Sequence, residues 1–185
     1  MSNAFNPDLA EYVSVSVSEV FRNETHFGRD PANFIQSPGI KEWDVGHVTS
    51  FQSTFQNAAS FEGFIGGWNT NSVQRTLRMF SGAAAFNTDI NSWNVSNTYD
   101  FGDTFKDAVQ FDQDLSNWDV SQATRFGGMF HGAVQFNQDI NGWNIIGVAS
   151  QVDFDMMFFN ATSFNQSLNS WTTHKVNNFA YMFAG

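Results

Sequence analysis

Met129-Phe130-His131-Gly132-Ala133-Val134-Gln135-Phe136-Asn137-Gln138-Asp139-Ile140-Asn141-Gly142-Trp143 is one copy of a unit that recurs along the chain. The six Trp fall at 43, 68, 93, 118, 143 and 171, so four spacings are 25 and the last is 28. Counting forward from each Trp gives further columns. Phe stands at 55, 80, 105, 130, 158 and 183, and again at 61, 86, 111, 136 and 164. Ala stands at 58, 83, 108, 133 and 161; Ile or Leu at 65, 90, 115, 140 and 168. A third Phe column holds Phe51, Phe101, Phe126, Phe154 and Phe179, with Thr76 as the exception. These columns account for most of the 22 Phe against only 3 Tyr. A fixed period of this length is the signature of a repeat array.

Within a unit the spacing predicts local structure. Ile90, Trp93 and Val95 end in a period of two, which predicts a short strand with Trp and Val inward. Phe51, Phe55 and Ala58 fall at i, i+4 and i+7, one face of a short helix or 3₁₀ segment. Polar pairs such as Asn141-Gly142, Asn91-Ser92 and Gly66-Gly67 carry turn chemistry. One unit cannot bury its own apolar face, but stacked units can. The expected fold is therefore an α/β solenoid, a right-handed stack of coils of about 25 residues, each giving a short parallel strand and a short helix or 3₁₀ turn.

The unit resembles the BspA-like leucine-rich repeat surface proteins, and more specifically their mycoplasma-type variant of unknown function. Its form is M-F-x-x-A-x-x-F-N-Q-D-[LI]-x-x-W-x-V-[ST], and the likeness runs from about Ile40 to Gly185. Ile-x-x-Trp-x-Val also fits the L-x-x-L-x-L core of leucine-rich repeats. An inward Asn ladder, frequent in such repeats, is replaced here by Val48, Val73, Thr98, Ala123 and Val176. The resemblance implies a leucine-rich-repeat-like solenoid with a surface interaction role, and it transfers no catalytic residue.

Two segments form the expected organisation: an N-terminal cap or arm over 1–39 and the repeat solenoid over 40–185, the sixth unit incomplete. Tyr12 to Ser18 alternates strictly and predicts a strand of the cap. A three-residue insertion lies between Trp143 and Phe158, where a solenoid tends to bulge from one face. The chain stops at Gly185 just after Phe179, Met182 and Phe183, which reads as a cut from a longer array, an open coil end that docks another subunit, or a short end that closes on itself.

The formal charge of −10, with 8 Lys and Arg, argues against nucleic acid and against anionic lipid heads. With no Cys, disulfides and thiolate metal sites are excluded. No stretch has the 18 or more apolar residues of a membrane span, so membrane insertion is not expected. No signal peptide is visible, although Ser2-Asn3-Ala4 looks like the scar of a cleaved tag. His26, His47, His131 and His174 sit in different units and columns, with no partner at ligand spacing, and no nucleophile or phosphate-loop motif is present. An enzyme is not expected.

Two sets of side chains remain as site candidates. Asp44, Asn69, Asn94, Asp119 and Asn144 follow the successive Trp and form a regular hydrogen-bonding ribbon, which faces either solvent or a protein or glycan on another surface. Asp89, Asp114 and Asp139 stack one coil apart with Asp112 alongside. Such carboxylates repel, and either solvent with turn N–H groups or Ca²⁺ relieves them. No other cofactor is expected. The chain reads as a non-catalytic, surface-displayed binding module for adhesion, at a cell surface or extracellular. The alternative is a structural or assembly subunit such as a virion decoration protein, self-associating through its uncapped C-terminal coil.

Overall fold

The computed structural model describes residues 15–16, 40–145 and 152–185. Equivalent residues of successive units lie side by side. Val15–Ser16 (β1) pairs in parallel with Val48–Ser50 (β2), and Val152–Asp153 (β3) pairs in parallel with Val176–Asn178 (β4). Between them the sheet thins to single-residue parallel bridges, Ser50 to Arg75, Arg75 to Asp100, Asp100 to Arg125 and Arg125 to Asp153. The pairing therefore climbs by one unit per rung.

The interior is built of aromatic columns. Phe55, Phe80, Phe105 and Phe130 are fully buried and stack with ring centroids 5.5, 5.7 and 5.6 Å apart. Phe61, Phe86, Phe111 and Phe136 form a second column at 5.8, 5.7 and 6.0 Å. The two columns face each other within each coil, for example Phe80 and Phe86 at 3.8 Å. Ring separations above the roughly 4.8 Å rise between coils mean that the rings are offset, which their quadrupoles favour. Ala58, Ala83, Ala108 and Ala133 are fully buried beside them, where a longer side chain would overpack.

The Trp column is fixed by polarity as well as by stacking. From Trp68 onward each indole N–H donates to the Ile or Leu carbonyl of the preceding coil, for example Trp93 to Ile65 at 3.0 Å, Trp118 to Ile90 at 3.1 Å and Trp143 to Leu115 at 3.0 Å. The same carbonyl also accepts the backbone N–H of its own coil's Trp, as Ile90 does from Trp93 at 3.1 Å. Both lone pairs are thus used at a buried oxygen, where an unmade bond would cost about 1–3 kcal/mol. Trp68 and Trp93 stack at 6.2 Å and 2°.

Local structure departs from the expectation in two places. No α-helix occurs among the described residues, and the helical pieces reduce to a 3₁₀ turn at Ile40–Glu42. The span Phe51 to Ala58 is instead a run of β-turns, with Thr54 N–H on the Phe51 carbonyl and Ala58 N–H on the Phe55 carbonyl. The third residue of each turn is left-handed: Ser53 and Asn57, Arg78 and Gly82, Asp103 and Asp107, Gly128 and Gly132, Met156 and Asn160. That is type II turn geometry, which wants Gly or Asn at this place. Alternate N–H groups of the run point to the next coil; Phe101, Asp103, Phe105 and Asp107 donate to Arg125, Gly127, Met129 and His131. A helix would have spent those donors within its own segment, leaving nothing to join the coils.

The second departure concerns the strand. The Ile-x-x-Trp-x-Val stretch makes two further turns, Ile90 to Trp93 and Val95 to Thr98, and carries no ladder. The parallel rungs lie further on, at 48–50, 75, 100, 125, 152–153 and 176–178. Trp93 and Val95 are buried as expected. Of the expected cap, only Val15–Ser16 falls among the described residues; the rest of the Tyr12 to Ser18 stretch and most of the insertion lie outside them.

Candidate functional site

Asp44, Asn69, Asn94, Asp119 and Asn144 are all exposed and occupy the same place in successive coils. Four of them cap their own turns. The Oδ1 atoms of Asp44, Asn69, Asn94 and Asp119 accept the N–H of Gly46, Asn71, Ser96 and Ser121, at 3.1, 3.2, 3.1 and 3.0 Å. This is the Asx-turn bond that short polar side chains make to backbone two residues on. It fixes one orientation in each coil, so the ribbon is a periodic set of held polar groups. Asn94 additionally reaches the neighbouring coil, donating from Nδ2 to the Asn71 Oδ1 at 2.8 Å.

Asp89, Asp114 and Asp139 have the same kind of role. Their Oδ1 atoms accept the N–H of Asn91, Ser116 and Asn141 at 2.9, 2.8 and 2.9 Å. Asn91 also donates to the Asp114 Oδ2 at 2.7 Å. Asp112 belongs to another ladder. Its Oδ1 accepts from the Asn137 N–H and the Gln138 amide, both at 2.9 Å. Asn87 receives Asp112 and Gln113 in the same way, and Asn137 receives Asn165 and Gln166. Among the described residues no three His, Cys, Asp or Glu side chains come together as a metal site needs. Asp89, Asp114 and Asp139 are thus each held by a turn N–H, and Asp112 by donors of the next coil.

A third polar column was not legible as a site. Along the parallel rungs the residues read Ser50, Arg75, Asp100, Arg125 and Asp153, alternating in charge from Arg75 onward. Asp100 is buried, caps the N–H of Gly102 at 3.1 Å and meets the Arg125 guanidinium at 3.4 Å. The Arg75 guanidinium lies 5.2 Å from the centroid of the Tyr99 ring. Arg78 pairs with Asp103 one coil on, at 3.2 Å. Stacked like charges would repel, so the alternation keeps neighbouring coils compatible. His131 is partly buried against Phe159, ring centroids 4.9 Å apart; His47 and His174 are exposed.

Few large apolar side chains are exposed among the described residues. Phe179, Tyr181 and Phe183 lie on the coil of β4, and Phe64 stands alone at 78% exposure on the first coil. The sequence signal at Phe64 was its break in the acidic column, which continues as Asp89, Asp114 and Asp139. No described helix is long and apolar enough to cross a membrane.

Comparison with known proteins adds one family. The family described as "Mycoplasma protein of unknown function, DUF285" matches residues 15–143 and 100–185. No curated protein and no solved structure matches the chain. The two matched segments overlap and together span most of the sequence, including every Trp-to-Trp coil described above. The chain belongs to the DUF285 family of Mycoplasma-type proteins of unknown function.

Proposed function

We propose that this chain is a non-catalytic, surface-displayed binding module that contacts a protein or glycan on another surface through the ribbon of Asp44, Asn69, Asn94, Asp119 and Asn144. With it we propose a right-handed, leucine-rich-repeat-like solenoid of the BspA kind, at a cell surface or outside the cell. The observation that supports the reading is the ribbon's geometry. Exposed polar side chains recur once per coil, and their own turns hold four of them by Oδ1 bonds of 3.0–3.2 Å. A partner then meets groups whose rotamers are already ordered, which lowers the entropic cost of binding.

The test is a glycan array and a pull-down from candidate partner surfaces, run with the native chain and with Asn94→Arg plus Asp119→Arg. Two long cations in the middle of the ribbon should reduce binding at least about tenfold; the lost turn bonds of Asn94 and Asp119 should lower the melting temperature modestly, and a retained circular dichroism spectrum shows that the fold persists. Binding that survives both changes refutes the ribbon as the contact surface.

As a second reading we propose a structural or assembly subunit, such as a virion decoration protein, that self-associates through the coil carrying Phe179, Tyr181 and Phe183. Light scattering over a range of concentrations separates the two, because a monomer at every concentration removes self-assembly through that coil.

A further inference from the structure

We propose that the groove beside Phe64 binds a neutral glycan, with one sugar ring laid against the Phe64 face. The inference rests on the binding-module reading and gives it a place and a ligand class apart from the ribbon. The groove is open to solvent, offers about 630 Å³ and is lined by Lys41, Glu62, Phe64, Gly66, Gly67, Ala85, Asn87, Thr88 and Asp89. That volume lies in the ordinary range of ligand sites.

The groove exists because the first coil departs from its neighbours. In later coils the amides of Gln113, Gln138 and Gln166 reach back to Asn87, Asp112 and Asn137 across this face. The first coil has Gly63 at the equivalent place, where a Cβ as the backbone now lies would sit 2.6 Å from the Phe61 ring. Gly66 and Gly67 follow where other coils carry Asn91-Ser92 or Ser116-Asn117. A Cβ on Gly66 would meet the Asp89 carbonyl at 2.4 Å, and one on Gly67 would meet nothing within 4 Å. The floor is therefore bare backbone, open above, with an exposed aromatic face beside it.

The rim is held before any ligand arrives. Asp89 is fixed by the Asn91 N–H at 2.9 Å, and the Thr88 hydroxyl donates to the Gly63 carbonyl at 3.1 Å. Asn87 accepts from the Asp112 N–H and the Gln113 amide at 2.9 Å each. Charge then selects the occupant. Glu62 and Asp89 oppose an anion, and Lys41 offsets one of the two carboxylates, which weakens the pull on a cation. Hydroxyl groups both donate and accept, so a neutral sugar suits a rim that carries acceptors and donors side by side. The C–H face of a sugar ring carries the partial positive charge that an aromatic face attracts. A peptide adding a strand would need an open sheet edge. The parallel rungs lie on another face, and β2 of this first coil is already paired with β1.

The experiment is saturation-transfer NMR with chitotriose, maltotetraose and cellotetraose as probes. It uses the full chain, Phe64→Asp, Phe64→Trp and the Asn94→Arg plus Asp119→Arg variant. Asp is the residue that this column carries at 89, 114 and 139, so Phe64→Asp should fold; Phe64→Ser, after Ser167, replaces it if it does not. At least one probe should bind the native chain, lose about tenfold in affinity with Phe64→Asp and keep its affinity with Phe64→Trp. Binding lost with Phe64→Asp but kept by the ribbon variant supports the groove even where the ribbon fails. The reverse pattern overturns the groove and leaves the ribbon standing. Transfer to none of the three sugars, or a lysine-rich peptide binding in their place, also overturns it.

Discussion

Replacing Trp118 by Ala should cost about 3–5 kcal/mol, the range for emptying a buried Trp site. Trp118 is 3% exposed and stacks on Trp143 at 6.4 Å and on Phe101 at 5.6 Å. The substitution opens a cavity between two coils and strips the Ile90 carbonyl of its indole donor. A domain stable by about 5–15 kcal/mol would lose a large share of that total. Trp118→Phe separates the two contributions. It keeps most of the stacking but leaves the carbonyl one bond short, so its cost should fall nearer the roughly 1–3 kcal/mol of an unmade buried hydrogen bond. Trp43 is only partly buried, at the first coil. Trp43→Ala should be milder than Trp118→Ala, because a coil stack is stabilised by nearest-neighbour interfaces. Chemical denaturation followed by circular dichroism checks the order. Equal costs at 43 and 118 would contradict it.

The second large effect depends on register rather than on any one side chain. Removing residues 94–118, one full period, should leave a folded protein, because Trp93 then runs into Asp119 and every later column keeps its place. Removing residues 94–106, about half a period, should abolish cooperative unfolding altogether. The shortened coil cannot present its Trp, Phe and Ala to the neighbouring columns, nor aim its alternate N–H groups at the next coil. The full-period deletion also brings Arg75 next to Arg125 by removing Asp100 between them. A modest loss beyond that of one interface is expected, and it should shrink in high salt as exposed charges are screened. Thermal melts of both deletions decide the matter. A well-folded half-period deletion would be incompatible with stacked coils.

The inward columns were legible in the residues because periodicity records burial directly. Trp93, Phe80, Phe86 and Ala83 recur at fixed intervals since each must meet its counterpart one coil away. The path of the backbone was less legible. Phe51, Phe55 and Ala58 share a face equally well in a helix or in two consecutive type II turns, so spacing alone cannot decide. Composition carried the missing signal: Asn57, Gly82, Asp107, Gly132 and Asn160 form a column of the residue types that tolerate left-handed backbone. For the ribbon, sequence gave the exposed faces but not the Asx bonds, which depend on the turn that each side chain caps. The acidic column reads two ways for a related reason. Carboxylates at Asp89, Asp114 and Asp139 recur because three successive turns need an acceptor, and this pattern on paper resembles a row of ligands. Phe64 was visible only as an interruption, since nothing in one coil's sequence shows that Gly63, Gly66 and Gly67 leave a groove beside it.

Because the chain has no Cys, spin labels can be placed at will. Labels at Asp44 and Asn144, four coils apart, and at Asp44 and Thr172, five coils apart, give a ruler along the stack by double electron–electron resonance. At about 4.8 Å per coil the backbone separations should be on the order of 19 and 24 Å, each a narrow distribution, with the second longer by one coil rise. Broad distributions, or a second distance no longer than the first, would contradict the stacking of successive coils.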